Sequence, residues 1–164
     1  MSSGIVVNPE CFEKFQLLAE KKESLRYIIY KIQGHEIAVE SVVTDNQLSG
    51  AEKDYENDSK ATYEALVNDL KERTNNFSDC RYAVFDFKFT TVRPGAGTSK
   101  LDKIIFILLC PDCAPVKQKM VYASSAAAIQ ASLGAGKFTM FQVSDEAELA
   151  HKELLDKLSD KYNK

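Results

Sequence analysis

The stretch Lys117-Gln-Lys-Met-Val-Tyr-Ala-Ser-Ser125 decides how the second half of this chain is interpreted. It follows Pro115, and proline fits the first turn of a helix, where its missing amide hydrogen is not needed. Apolar residues recur at helical spacing through and beyond the stretch: Tyr122, Ala126, Ile129 and Leu133. This pattern predicts a helix over about residues 115–133 with one buried stripe. Gly134 follows, and glycine is the residue that most often ends a helix.

A second face of this helix carries a different set of side chains. Lys117, Met120 and Ser124 follow i, i+3, i+7 spacing away from the Tyr122 stripe, and Lys119 flanks them. An exposed methionine is an adaptable apolar anchor for a partner groove. Neighbouring lysines would orient an acidic partner surface. On spacing alone, a solvated amphipathic helix with a chance methionine remains the simpler interpretation.

The hydrophobic period predicts the remaining elements outward from this helix. Helices are expected over about residues 8–21, 58–74 and 144–162, with Asn8, Asp58 or Ser59, and Ser144 as caps. Strands are expected over about residues 25–32, 37–43, 79–90, 101–110 and 138–143. The polar stretch 44–57 is interpreted as a loop, and 91–99 as a turn.

This order of elements predicts an α/β (α+β) fold with a central mixed five-stranded sheet and helices on both faces. Residues 1–164 are expected to form one domain, because neither flank of the 44–57 loop could fold alone. Residues 1–7 are expected to form a flexible N-terminal arm.

Composition and charge exclude several classes of protein. The formal net charge is -3, so no overall positive field would attract nucleic acid. No apolar run is long enough to cross a bilayer, and the N-terminus lacks the basic start of a signal peptide. A cytoplasmic protein is therefore expected.

The sequence contains only weak matches to catalytic, redox or metal-binding motifs. Cys110-Pro-Asp-Cys113 spells a redox motif, but the helix that should follow it directly starts later, near Pro115. The other cysteines and the two histidines lack metal-ligand spacing. Asp86, between two phenylalanines, is better interpreted as a structural acceptor than as a catalytic group. The sequence therefore predicts no catalytic set, no metal and no cofactor. A small thiol redox protein that uses Cys110 and Cys113 stays as the alternative from another class.

Three stretches together carry a family resemblance: Ser2-Ser-Gly4, Tyr82-Ala-Val-Phe-Asp86 and the long helix from Lys117. Across nearly the whole chain they resemble the ADF/cofilin family. The resemblance implies the ADF-homology fold and a monomeric, cytoskeleton-associated protein that is not an enzyme. It implies binding of actin monomers, inhibition of polymerisation, and depolymerisation or severing of filaments. A coactosin-like or twinfilin-like module is the alternative within the fold.

The resemblance also implies residue roles for monomer binding. Met120 matches the anchor in the actin cleft, with Lys117 and Lys119 as its rim and Ser124 on the same face. Residues Ser2, Ser3 and Gly4 match the arm that lies against the same actin surface, and Ser3 matches the inhibitory phosphorylation site. A phosphate there would add about two negative charges.

A filament-binding surface is implied by Lys100 and Lys103 before and within the fourth strand, and by Asp156 and Lys157 on the last helix. This chain departs from the family at Leu101 and Asp160, which stand where some members carry basic residues; Lys161 partly replaces the second. Four uncharged residues stand on the long helix where mostly charged ones are usual: Ala126, Ala127, Gln130 and Ala131. We therefore expect monomer binding to dominate and phosphoinositide binding to be weak.

Overall fold

The computed structural model describes residues 4–20, 22, 24–48, 54–93, 95, 97–134 and 136–162. The strands are β1 (Val6–Val7), β2 (Leu25–Gln33), β3 (Glu36–Thr44), β4 (Arg81–Arg93), β5 (Gly97–Leu109) and β6 (Thr139–Val143). The helices are α1 (Pro9–Ala19), α2 (Asp54–Asn57), α3 (Lys60–Arg73), α4 (Val116–Leu133), α5 (Glu146–Leu149) and α6 (His151–Tyr162).

The strands form one mixed sheet in the order β1-β3-β2-β4-β5-β6. Strands β1 and β3 run parallel, as do β5 and β6, and the other pairs are antiparallel. The mixed sheet is confirmed, but it has six strands where five were predicted. The additional strand, β1, has two residues, which is too short for any periodicity to show in the sequence.

β1 corrects the prediction of a flexible arm at residues 6 and 7. The Val6 amide donates to the His35 carbonyl at 2.9 Å, and the Asn8 amide donates to the Ile37 carbonyl at 2.9 Å. Residues 6 and 7 are therefore paired with the sheet.

The β4–β5 hairpin is longer than predicted. Its ladder continues to the pair Arg93↔Gly97, so only residues 94–96 separate the strands, where a turn over 91–99 was expected. Thr91 and Val92, which were assigned to the turn, are β-branched residues that favour strands. The predicted alternation along β4 is confirmed, because its odd and even positions enter opposite cores.

Each face of the sheet has its own buried core. On one face α1 and α4 contribute Phe15, Tyr122 and Ile129 against Tyr82 and Phe106. On the other, α3 and α6 contribute Tyr63, Leu66 and Leu154 against Phe85 and Phe87 of β4. Full burial of one such side chain stabilises the fold by about 1.5–3 kcal/mol, so both helix layers are firmly held.

The predicted cap at the start of α3 has another role. Ser59 is the N-cap residue, but its hydroxyl makes no cap hydrogen bond. Instead the hydroxyl donates to the Lys88 carbonyl at 2.7 Å and accepts from the Lys88 amide at 2.9 Å. It also accepts from the buried Arg26 guanidinium at 3.3 Å. Ser59 therefore ties α3 to β4. The preceding region 44–57, predicted as a loop, contains α2 and a 3-10 turn at Asp45–Gln47.

Asp86 has the structural role that was expected. It is 3% exposed, and its carboxylate lies 3.3 Å from the ammonium of Lys88. The ion pair lies within the sheet.

Candidate functional site

Helix α4 is held to the protein along one side. Its predicted core stripe is confirmed, since Tyr122, Ala126, Ile129 and Leu133 are all buried. The Tyr122 hydroxyl accepts a hydrogen bond from the Ile32 amide at 2.9 Å, and the Tyr82 hydroxyl donates to the Tyr122 carbonyl. These contacts fix the rotation of α4, and therefore which residues it presents to solvent.

The opposite side of α4 carries several side chains that are exposed among the described residues. Lys117 and Ser124 are exposed, and Met120 is 66% exposed, which confirms that these residues lie on a separate face. Val116 is 68% exposed and precedes Met120 by four residues, so the two apolar side chains are neighbours on the helix surface. We call Val116, Lys117, Met120 and Ser124 the α4 surface.

Val116 was missed in the sequence because valine is usually assigned to a core. The signal was present, however. Val116 precedes Met120 by four residues, so it lies on the same face of the helix as Met120. It precedes Tyr122 by six residues, and this spacing places Val116 outside the buried stripe.

Lys119 differs from the other predicted rim residue. It is half-buried, and its ammonium donates to the Asp112 carbonyl at 3.1 Å. The Asp112 amide in turn donates to the Ser144 carbonyl at 3.0 Å. Lys119 therefore connects the first turn of α4 to the segment after β5, in addition to flanking Met120.

The N-terminal segment lies beside this helix. β1 is in contact with α4, and Ile5 and Val7 pack against the core that α4 covers. Gly4, which precedes them, is exposed. The described part of the predicted arm thus leads towards α4, while Ser2 and Ser3 lie outside the described residues.

The predicted filament residues on β5 point in two directions. Lys100 and Lys103 are three positions apart in one strand, so their side chains project from opposite faces. The Lys100 ammonium lies 5.2 Å from the centre of the Tyr55 ring, in a cation–π contact. Leu101 is half-buried and packs against the α3–α6 core.

On α6, both predicted residues are on the surface. Asp156 and Lys157 are exposed, and the Lys157 ammonium lies 5.9 Å from the centre of the Phe141 ring on β6. Asp160 and Lys161 belong to α6, but their side chains lie outside the described part of the protein.

The uncharged positions on α4 separate into two groups. Ala126 is 6% exposed and belongs to the core stripe, so counting it among the missing surface charges was wrong. Ala127 and Ala131 are exposed, and Gln130 is half-buried. The loss of surface charge therefore concerns these three positions.

The cysteine arrangement does not join Cys110 to Cys113. Cys110 is buried, whereas Cys113 is exposed and its thiol donates to the Phe77 carbonyl at 2.8 Å. The two thiols of the predicted redox motif therefore have separate surroundings. Among the described residues no group of three or more histidine, cysteine or acidic side chains could hold a metal ion. Within the same residues, no helix combines the length and apolarity needed to cross a membrane.

Comparison with known proteins agrees with this geometry. A family model described as "Cofilin/tropomyosin-type actin-binding protein" matches residues 4–159, which include the arm's end, α4 and most of α6. The chain belongs to the ADF/cofilin family. It is 58% identical over 156 residues to actin-depolymerizing factor 1, isoforms a/b, of Caenorhabditis elegans, with coverage of 95% of this chain and 74% of that protein.

Two further members of the ADF/cofilin family show the similarity in sequence and in structure. Cofilin of Schizosaccharomyces pombe is 38% identical, over 97% of this chain and 98% of that protein. The solution structure of an ADF-like protein of Caenorhabditis elegans superimposes with a TM-score of 0.83 at 58% identity, covering 99% of each chain. These matches confirm the predicted family, fold class and actin-binding function, and they do not favour the thiol-redox or coactosin-like alternatives.

Proposed function

We propose that this ADF/cofilin protein binds actin monomers through the α4 surface, together with Lys119 and the arm that carries Ser2, Ser3 and Gly4. The observation that carries the proposal is the pairing of Val116 and Met120, both more than half exposed, on a helix whose other side is locked into the core. Large apolar side chains at this exposure favour a partner surface, because covering them releases ordered water.

The charges around this apolar pair would set its orientation on actin. Lys117 is exposed beside Met120, and the ammonium of Lys119 is held by its hydrogen bond to the Asp112 carbonyl. Positive side chains at the rim of an interface mainly steer encounter and fix register on an acidic partner. Met120 and Val116 would therefore supply most of the affinity, and the lysines would set the orientation of the protein on actin.

The protein would act by binding and not by catalysis. A ligand that prefers one conformation of its target shifts the population towards that conformation. Preferential binding to monomers, and to the actin conformation with bound ADP, would both withhold subunits from growth and promote disassembly of filaments. We propose that the protein is cytoplasmic, cytoskeleton-associated and monomeric.

We further propose that filament-side binding, through Lys100, Lys103, Asp156 and Lys157, is the weaker activity. Leu101 contributes to the α3–α6 core and brings no charge to the strand. Asp160 places an acidic residue on α6 where an acidic partner would repel it. Exposed charge contacts of this kind are worth about 0.2–1 kcal/mol each, so the effect is a graded weakening.

The test of monomer binding uses the double variant Lys117→Ala and Met120→Ala. Because truncation of a central anchor costs about 2 kcal/mol or more, we expect roughly 30-fold weaker binding to ADP-actin monomers. Titration of fluorescently labelled monomers would measure this change, and circular dichroism would confirm that the fold is retained.

Met140→Ala is the matched control. Met140 is 41% exposed on the edge strand β6, where its sulfur accepts from the Gln130 side chain at 3.0 Å. The substitution therefore removes a surface methionine that lies outside the α4 surface. Wild-type affinity in this control is expected. A correctly folded double variant that binds as tightly as the wild type would exclude the α4 surface as the interface.

A further inference from the structure

Two cysteines face each other at the end of the β4–β5 ladder. The last ladder pair is Arg81↔Leu109, so the next residues, Cys80 and Cys110, occupy opposed positions. Both are free thiols, and both side chains enter the core that α1 and α4 cover. Opposed residues of an antiparallel pair share one face of the sheet.

The backbone hydrogen bonds show which kind of opposed pair this is. The Cys80 amide donates to the Gln118 side-chain oxygen at 2.9 Å, and the Cys110 amide donates to the Val143 carbonyl at 2.9 Å. The two cysteines therefore exchange no backbone hydrogen bonds. In such non-hydrogen-bonded pairs the Cα atoms lie about 4.5 Å apart, within the range of about 4.4–6.8 Å that a disulfide spans.

The two thiols differ in reactivity. Interaction with the Cys80 side chain is the main cause that lowers the pKa of Cys110, and the positive charge of Lys119 lowers it further. The same interaction, together with burial, raises the pKa of Cys80. Cys110 is also the more accessible of the two, at 8% exposure against 0%. Cys110 is thus suited to be the attacking thiolate and Cys80 the resolving thiol.

We propose that Cys80 and Cys110 are an oxidation site that forms a reversible disulfide with hydrogen peroxide. The Cys110 thiolate attacks one peroxide oxygen, the O–O bond breaks, and the departing hydroxide takes a proton to leave as water. The Cys80 sulfur then attacks the Cys110 sulfenic acid, and its proton leaves with the second hydroxide as water. Two thiols are oxidised by two electrons, and one peroxide is reduced to two waters.

This site is connected to the first turn of α4. Gln118 accepts from the Cys80 amide, and Lys119 lies close enough to both sulfurs to affect their pKa values. These two residues stand between Lys117 and Met120 in sequence. Closing an S–S bond brings the two sulfur atoms to about 2 Å from each other beneath this turn, so the side chains there repack. Oxidation therefore shifts the α4 surface and weakens the binding of a partner there. This consequence rests on the proposed monomer binding.

The first experiment maps the disulfide. Reduced wild-type protein is treated with hydrogen peroxide, alkylated, digested and analysed by mass spectrometry without reduction. We expect a peptide pair joined through Cys80 and Cys110 that disappears with dithiothreitol. The matched variants are Cys110→Ala, which should lose the pair, and Cys113→Ser, which removes the neighbouring exposed thiol and should retain it. Absence of the Cys80–Cys110 pair from oxidised wild type would overturn the proposal.

The second experiment measures the effect on α4 in the same samples. Amide hydrogen exchange over residues 116–120 should be faster in the oxidised protein, and monomer affinity should fall by about threefold or more. Dithiothreitol should restore both, and Cys113→Ser should behave as wild type.

The possible failures are separable. If the disulfide forms but neither exchange nor affinity changes, control of α4 by this site is wrong. If the reduced protein fails to bind actin at all, the proposed function is wrong. A mapped disulfide with faster exchange in α4 would then still support the oxidation site.

Discussion

At the scale of single residues, a side chain's position relative to a helical stripe was predictable, and its hydrogen-bond partner was not. The spacing placed Met120 outside and Tyr122 inside, and both positions are confirmed. Ser59 was predicted as a cap, but its hydroxyl bonds to Lys88, a residue 29 positions away. No local pattern encodes a partner at that separation, because it depends on how the sheet and α3 pack.

Ser3 carries a prediction at this scale. Ser3→Glu should weaken monomer binding, since a negative charge in the arm would face an acidic actin surface, whereas Ser3→Ala should not. Exposed charge pairs are worth about 0.2–1 kcal/mol, so a loss of affinity of about 1.4- to fivefold is expected, and it should diminish with salt.

Monomer titration at low and moderate ionic strength would check the Ser3 prediction. Ser124→Glu places the same charge on α4 itself and should weaken binding as well. Equal affinities for Ser3→Glu and the unmodified protein would remove Ser3 as a charge switch.

At the scale of elements, length decided what the sequence could reveal. α4 spans five turns, and its stripe was recognisable from spacing alone. β1 has two residues and α2 has four, so neither shows a period. Pro94, Gly95 and Gly97 predict a wide turn, so the predicted hairpin strands are too short. In the structure, cross-strand pairing extends β4 to Arg93 and begins β5 at Gly97.

The surface of α4 predicts weak binding to phosphoinositides. Ala127 and Ala131 are exposed and uncharged, and each basic residue near an anionic membrane contributes about 1 kcal/mol. The double variant Ala127→Lys and Ala131→Lys should therefore bind vesicles containing phosphoinositide roughly tenfold or more tightly than the wild type.

Vesicle co-sedimentation measures this difference. Gln16→Lys with Glu20→Gln raises the net charge by the same amount on α1, at two exposed positions, and serves as the control. If the control variant gains as much vesicle binding as the α4 variant, the net charge of the protein and not the position of the charges on α4 determines the affinity.

At the scale of the whole molecule, the two cores are rich in buried tyrosines, which limit stability at high pH. Burial is the largest cause that raises the pKa of five tyrosines: Tyr27, Tyr30, Tyr63, Tyr82 and Tyr122. Below their ordinary pKa of about 10 both states are protonated and the full stability is present. Above it the unfolded chain loses protons that the folded protein keeps, so the unfolded state is favoured.

The free energy of unfolding should therefore fall steeply above about pH 10, by about 1.4 kcal/mol per pH unit for each tyrosine ionised only in the unfolded chain. Denaturant unfolding measured from about pH 8 to about pH 11 would show the decrease. Tyr122→Phe should reduce the pH dependence of the free energy of unfolding by the contribution of one tyrosine. A free energy of unfolding that stays constant over this range would contradict the pKa shifts.

We expect monomer binding through the α4 surface to dominate over binding along filaments. The most direct measurement is a monomer titration and a filament co-pelleting assay on the same wild-type preparation, at one salt concentration. We predict saturable binding to ADP-actin monomers and inhibition of polymerisation, with little protein pelleting with filaments. Stoichiometric decoration of filaments at low micromolar concentration would contradict this prediction. Lys100, Lys103 and Lys157 would then suffice for the filament surface despite Leu101 and Asp160.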